Sequence, residues 1–197
     1  MTGSEISVGS VEYPKPGDWI EVFSKSSKLP DGVKVWKILS GNRTLTTMET
    51  LKKLGMHSSK LLNYSATGRP SLILDKSIDF NFSNQRGASL FGISQYGKIG
   101  LDIEKLDSRR FPKGMLKTYY SKHEVEEMSL LSGELKILAM AEKWVVKESI
   151  AKSLDTPIQF SRISVYKGED DAISIETDLD EIPLITKLST YLLELSE

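Results

Sequence analysis

Two carboxylates separated by a single residue stand in the segment IGLDIE, residues 99–104. Apolar residues alternate there with Gly100, Asp102 and Glu104, the pattern of a strand with one buried face. Both carboxylates then leave the same face, where a hard cation such as Mg²⁺ would relieve their repulsion. Gly100 leaves room on that face for a close approach. A solvent-exposed sheet face at a hairpin end explains the pattern as simply.

A second group of charges lies in EKWVVKESIAKS, residues 142–153. Trp144, Glu148 and Lys152 are spaced by four residues, which predicts a winding stripe on a helix, and Lys147 lies about 100° round from Glu148. Phosphate binding next to a metal would use such charges. The alternative is a surface salt bridge between Glu148 and Lys152, contributing about 0.2–0.5 kcal/mol, with Trp144 in the core.

Other charged residues have structural explanations of their own. Glu124 is the third helical residue of a capping box, S-K-H-E at residues 121–124, which accounts for a Glu at that place. Arg43 at the start of a predicted helix and Arg69 in a G-R-P turn are positions typical of surface cations. The residues alone therefore supply carboxylates and cations for a metal–phosphate site without forcing them together.

The composition restricts the possible partners and metals. Lys and Arg number 26 and Asp and Glu 27, giving a net charge of −1, so no overall charge favours nucleic acid or an anionic membrane. The absence of cysteine excludes thiolate metal sites, and two histidines make a multi-histidine zinc site unexpected. The start of the sequence lacks a signal-peptide pattern and no apolar run approaches ~20 residues. We expect a cytoplasmic enzyme or binding protein.

The periodicities predict a mixture of helices and strands in both halves of the chain. Strands are expected at 33–39, 70–74, 78–83, 88–94 paired with 99–104 as a hairpin, 163–166 and 172–176, and helices at 45–51, 121–131 and 133–154. The run 183–196 fits a helix almost as well as a strand. Glu142 and Lys143 are expected to be ordinary surface charges. The pattern indicates an α+β fold.

Six segments, taken in order, resemble the surfactin-type 4′-phosphopantetheinyl transferases of the holo-acyl-carrier-protein synthase superfamily. They are NRTL (42–45), GRPSL (68–72), FNFSN (80–84), IGLDIE (99–104), YYSKHEV (119–125) and WVVKESIAK (144–152). The resemblance covers roughly residues 40 to 165. It implies a pseudo-dimer of two similar α+β lobes with the active site in the cleft between them. We assign the lobes to residues 17–97 and 98–197, the second carrying the metal site, after a loosely ordered segment 1–16.

The resemblance also implies an activity. Members transfer the 4′-phosphopantetheine group of coenzyme A to a serine of an acyl or peptidyl carrier protein, with Mg²⁺, and release 3′,5′-adenosine bisphosphate. Position 84 is Asn where the family usually has His, and SLDTPI follows Lys152 where a Gly-rich turn is common. The alternative is therefore a degenerate relative that binds carrier protein or coenzyme A without turnover.

Roles follow from the resemblance position by position. The implied Mg²⁺ ligands are Asp102, Glu104 and Glu148, and the implied phosphate-binding cations are Lys147 and Lys152, the latter stabilising the leaving group. Glu148, or Glu124 through a water molecule, would take the serine proton. The residues implied to contact the nucleotide and its phosphates are Arg43, Arg69, Ser83 and Asn84.

A basic run follows the carboxylate segment and contains Arg109, Arg110, Lys113 and Lys117. The carrier proteins that members of this family modify present an acidic helix beside their serine, so the run is a candidate docking surface. A solvated basic segment explains the run equally well.

A two-lobed chain can form its cleft without a second copy of itself. We therefore expect a monomer, with neither nucleic acid nor a membrane as partner.

Overall fold

The computed structural model describes residues 19–21, 32–39, 49, 62–73, 77–95, 97–168 and 173–178. Several predictions lie outside these residues: the loosely ordered segment 1–16, most of the helix at 45–51, Arg43 and the run 183–196. No helix in the described ranges is both long and apolar enough to cross a bilayer.

The first half of the described chain is built on strands. β1 (Trp19–Glu21), β2 (Val33–Leu39), β5 (Asp79–Gln85) and β6 (Ala88–Ser94) form an antiparallel sheet in the order β1-β2-β6-β5, and β3 (Leu62–Tyr64) pairs with β4 (Pro70–Leu72). The side chains of Trp36, Ile38, Phe80 and Phe91 pack together as its core. β5 and β6 are joined by a two-residue turn in which Gly87 has φ = 102°, a conformation that favours glycine.

The second half is mainly helical. α1 (Met115–Tyr119), α2 (Lys122–Ser129) and α3 (Gly133–Leu154) precede a 3₁₀ turn (Phe160–Arg162) and the hairpin of β7 (Ile163–Lys167) and β8 (Ile173–Thr177). Val146 and Ile150 of α3 pack against Ile163 and Val165 of β7. Helices and small antiparallel sheets together confirm the α+β class. The arrangement as two similar lobes around a cleft, and the lobe boundaries, stay predictions.

The predicted hairpin of 88–94 with 99–104 is wrong. β6 pairs with β2 and β5, and residues 99–104 belong to no strand. Instead, the side chains of Asp79, Asn81 and Ser83 on β5 accept hydrogen bonds from the backbone N–H groups of every second residue in 99–103, at 2.7, 2.8 and 3.2 Å. Side chains thus replace the backbone acceptors of a strand partner, and Asn81 and Ser83 are buried beneath the segment.

Gly100 marks the place where helix α3 meets this extended segment. A Cβ atom at Gly100 would lie 1.8 Å from the carbonyl oxygen of Ser149 and 2.8 Å from the backbone nitrogen of Ser153. Real Cβ atoms do not approach backbone atoms so closely, so the contact requires glycine. The room predicted beside Gly100 is therefore taken by the helix backbone, which brings α3 alongside Asp102 and Glu104.

Candidate functional site

A cavity of about 760 Å³ lies where β5, the segment 99–104 and helix α3 meet. Predicted site residues line it from distant parts of the sequence: Arg69, Ser83, Asn84, Asp102, Glu104, Glu148 and Lys152. The structure does not bring Lys147 or Glu124 to its lining. Arg43 lies outside the described residues.

Asp102 and Lys152 form an ion pair on the cavity wall. Lys152 Nζ donates to Asp102 Oδ1 at 2.6 Å and to Ser83 Oγ at 3.1 Å, and the Ser83 hydroxyl donates to the same Asp102 oxygen at 2.8 Å. Asp102 is buried, whereas 29% of the Lys152 side chain is exposed. Asp102 Oδ2 is buried without a hydrogen-bond partner among the described residues.

Glu104 has the same arrangement with a different cation. Its Oε1 accepts a hydrogen bond from Arg110 Nη2 at 2.7 Å, and its Oε2 is buried with no hydrogen-bond partner in the described part of the chain. Burial raises the pKa of Glu104, the Arg110 guanidinium opposes this shift, and the charge of Asp102 adds to it. Each of the two carboxylates therefore has one oxygen on a cation and one oxygen bare.

Glu148 on α3 completes the acidic group. Burial raises its pKa, and the nearby carboxylate of Asp102 raises it further while Lys152 opposes the shift. Within the described ranges no hydrogen bond engages its carboxylate. Asp102 thus interacts electrostatically with both glutamates, as expected for carboxylates on one cavity wall.

The donor set suits a hard divalent cation. Among the described residues no three carboxylate or imidazole side chains already converge at metal-binding positions. However, Asp102 Oδ2 and Glu104 Oε2 are buried anionic oxygens that have no hydrogen-bond partner among the residues that the structure describes, and such groups are costly unless a cation or donor reaches them. Carboxylate oxygens are the ligands that Mg²⁺ prefers. The residues present therefore fit Mg²⁺ better than any softer metal.

Arg69 lines the cavity but its guanidinium is already bound within the protein. It donates to Asp79 Oδ2 at 2.6 Å, to the carbonyl oxygen of Ile99 at 2.8 Å and to the carbonyl oxygen of Lys152. Its side chain is 6% exposed. Arg69 therefore ties the C-terminal turn of α3 to β5 and to the segment 99–104.

Lys147 points into the protein and away from the cavity. Its ammonium group donates to Glu124 Oε2 at 2.5 Å and to the carbonyl oxygens of Tyr119 and Phe160 at 3.0 and 2.9 Å. Both side chains of the ion pair are 0% exposed. Burial lowers the pKa of Lys147, which the Glu124 charge opposes. In this arrangement the ammonium group has no hydrogen left for a phosphate.

The predicted capping box around Glu124 is confirmed. Glu124 Oε2 accepts the backbone N–H of Ser121 at 2.8 Å, and Ser121 Oγ accepts the backbone N–H of Glu124 at 3.3 Å. Glu124 Oε1 also accepts the backbone N–H of Val165 at 3.0 Å. Glu124 therefore joins α2 to α3 and β7.

Trp144, Asp155 and Arg110 also line the cavity. The Trp144 ring contacts the rings of Tyr119 and Phe160 edge-on, each at 5.3 Å between centroids. The i, i+4, i+8 spacing of Trp144, Glu148 and Lys152 predicted that they share one stripe of the helix, and all three line the cavity. No sequence signal pointed to Asp155, which follows α3 with φ = 56°.

Lys143 corrects another prediction. It is buried, donates to the carbonyl oxygen of Val165 at 2.7 Å and pairs with Glu127 at 2.9 Å, so it is not an ordinary surface charge. Its long side chain spans from α3 to β7. A helix pattern alone does not show which charged residues face a neighbouring strand.

The basic run separates into two kinds of residue. Arg109 is 88% exposed and pairs with Asp107 at 2.6 Å, and Lys113 and Lys117 are exposed. Arg110 belongs to the cavity through Glu104. Docking of a carrier protein on these residues stays a prediction.

Two comparisons with known proteins indicate similarity to the same superfamily. Residues 98–193 match the family model of the 4′-phosphopantetheinyl transferase superfamily. A protein of Synechocystis sp. named "Putative 4′-phosphopantetheinyl transferase" is 26% identical over 92 residues, which cover 46% of this chain and 37% of that protein. The match thus spans little more than a third of the length of this relative. The part of the chain that carries Asp102, Glu104, Glu148 and Lys152 is similar to the 4′-phosphopantetheinyl transferase superfamily.

Proposed function

We propose that the protein transfers the 4′-phosphopantetheine group of coenzyme A to a serine of an acyl or peptidyl carrier protein. The observation that carries this proposal is the meeting of Asp102, Glu104, Glu148 and Lys152 on one cavity wall, within the part of the chain that matches the superfamily. A site for binding alone does not need three carboxylates beside a lysine.

In the proposed reaction the serine oxygen attacks the β-phosphorus of coenzyme A. The new O–P bond forms as the bond from that phosphorus to the bridging oxygen breaks. The leaving 3′,5′-adenosine bisphosphate keeps the electron pair of the broken bond, and the serine proton passes to a base. The protein must therefore supply a proton acceptor and positive charge near the leaving phosphate.

Glu148 is the proposed proton acceptor. Its carboxylate faces the cavity without a hydrogen bond from the described residues, so its oxygens are open to accept the proton of a serine hydroxyl. Glu124 is a poorer candidate because it is fully buried and paired with Lys147.

Asp102, Glu104 and Glu148 are the proposed ligands of Mg²⁺. A bound Mg²⁺ would neutralise negative charge on the pyrophosphate oxygens. The bare oxygens of Asp102 and Glu104 support this assignment, and Glu148 has two oxygens, so binding and proton transfer can use different ones.

Lys152 is the proposed partner of the leaving phosphate. Its ammonium group is anchored by Asp102 and Ser83, yet the side chain remains partly exposed at the cavity. A positioned cation at developing negative charge is among the stronger contributions to catalysis. Asn84, also at the cavity and exposed, can donate a hydrogen bond to a phosphate but brings no charge.

The test is to incubate the protein with coenzyme A, Mg²⁺ and a panel of apo carrier proteins and to measure intact carrier mass. We expect a gain of one phosphopantetheine that is lost in Asp102→Ala and Glu148→Ala. Glu142→Ala is the matched control, since Glu142 lies on the same helix but pairs with Lys167 outside the cavity. Binding of coenzyme A without a mass gain on any carrier would contradict the proposal and favour the binding-only alternative.

A further inference from the structure

We propose that Arg110 is the resident counter-ion of Glu104 and competes with the divalent cation for that carboxylate. The inference rests on the proposed function only in taking Asp102 and Glu104 as cation ligands. Arg110 then belongs to the proposed cation site, whereas the sequence predicted that it is part of a carrier-docking surface.

The two partners of this ion pair are unequally buried. Arg110 Nη2 lies 2.7 Å from Glu104 Oε1, and the side chains are 52% and 10% exposed, respectively. The Glu104 carboxylate is largely shielded from solvent, whereas the half-exposed guanidinium can be hydrated where it stands. Arg110 is therefore the partner that can leave at low cost.

Competition follows from the placement of the charges. The bare oxygen Glu104 Oε2 belongs to the same carboxylate that Arg110 holds through Oε1. A divalent cation on Oε2 would therefore stand within a few ångströms of the guanidinium, and two positive charges at that range repel. While Arg110 stays on Glu104, it lowers the affinity of the carboxylate for a cation.

The neighbouring arginine offers a matched control. Arg109 carries the same charge one residue away, but it is 88% exposed and pairs with Asp107 at 2.6 Å. Arg109 does not line the cavity. A general change of surface charge would affect both positions alike, whereas competition at Glu104 affects Arg110 alone.

The experiment is calorimetric titration of Mn²⁺ alone, as a Mg²⁺ substitute, into the full chain without coenzyme A or carrier protein. We expect Arg110→Gln to bind Mn²⁺ at least about fivefold more tightly than the unmodified protein, from the removal of one nearby charge. Arg110→Lys, which keeps the charge, and Arg109→Gln should both remain within about twofold. In a Glu104→Gln background, Arg110→Gln should have no further effect.

Several results would overturn the inference. Unchanged or absent Mn²⁺ binding in Arg110→Gln would show that Arg110 does not limit it, and weaker binding would show that Arg110 orients Glu104 for the cation. An equal gain in Arg109→Gln would show a general charge effect. Each of these outcomes is independent of whether the unmodified protein modifies a carrier, so the proposed function stands or falls separately.

Discussion

Neighbouring residues of α3 have different roles because their side chains point in different directions. Lys147 and Glu124 form a pair that is 0% exposed, whereas Glu148, the next residue, faces the cavity. The 100° step between consecutive helical residues separates the two directions. The resemblance implied that Lys147 and Lys152 both bind phosphate. A sequence motif gives the spacing of these residues but does not show which side of the helix is covered by other parts of the protein.

A buried ion pair makes a prediction about stability. Lys147→Met should lower the free energy of unfolding by about 3–5 kcal/mol, because it leaves the Glu124 carboxylate buried without its counter-ion. Urea denaturation measures the change. Lys167→Met, which breaks the exposed pair with Glu142, is the control and should cost at most about 1 kcal/mol.

Combining Lys147→Met with Glu124→Gln should be less destabilising than the sum of the two single changes, since each single change leaves one buried charge unpaired and the double variant leaves none. A loss of less than about 1 kcal/mol in Lys147→Met would contradict the structural role given to this pair.

At the scale of elements, the contact between α3 and the segment 99–104 sets the geometry of the cavity. Gly100→Ala should destabilise the protein by about 1–3 kcal/mol or more, because the new Cβ would meet the backbone of Ser149. The helix must then move away from the segment, which separates Glu148 from Asp102 and should lower the transfer rate. Thermal unfolding and the transfer assay measure the two effects.

Gly114→Ala is the control for this substitution. Gly114 has φ = −62° and, apart from its own chain neighbours, no atom of the described residues lies within 4 Å of its Cβ position, so alanine should be neutral or slightly stabilising there. Equal effects of the two substitutions would refute the close approach at Gly100.

Element positions were more predictable than element pairing. The helix at 133–154 and the strand at 33–39 are confirmed with the predicted bounds, because their apolar spacing is set by burial. The pairing of 99–104 was predicted wrongly, since its alternation is the same whether the partner offers backbone or side-chain acceptors. Asp79, Asn81 and Ser83 supply the acceptors, and their role depends on tertiary contact that local pattern does not contain.

At the scale of the whole molecule, the cavity collects residues from four separate stretches, 67–70, 81–85, 102–110 and 144–157. The carboxylates and Lys152 were predicted from spacing and resemblance, and all of them line this cavity. Trp144 was expected only in the core, and Arg110 was expected at a different surface. Both line the cavity because the tertiary fold brings distant stretches of the chain next to each other. Local sequence patterns do not show such contacts.

The exposed part of the basic run yields a prediction about the partner. Changing Arg109 and Lys113 to Glu together should raise the KM for an acidic carrier severalfold and leave the KM for coenzyme A unchanged, since rim charges act mainly on encounter. The effect should shrink at high salt, which screens exposed charges. An unchanged carrier KM at low salt would remove the docking role from this run. Arg110 is excluded from the test because it contacts Glu104.

The most direct test of the central claim is to measure both products of one reaction mixture. Intact carrier mass and released 3′,5′-adenosine bisphosphate should rise together in a one-to-one ratio, stop when Mg²⁺ is chelated, and fall at least about 100-fold in Lys152→Ala. Release of the nucleotide without carrier modification, or an undiminished rate in Lys152→Ala, would contradict the account.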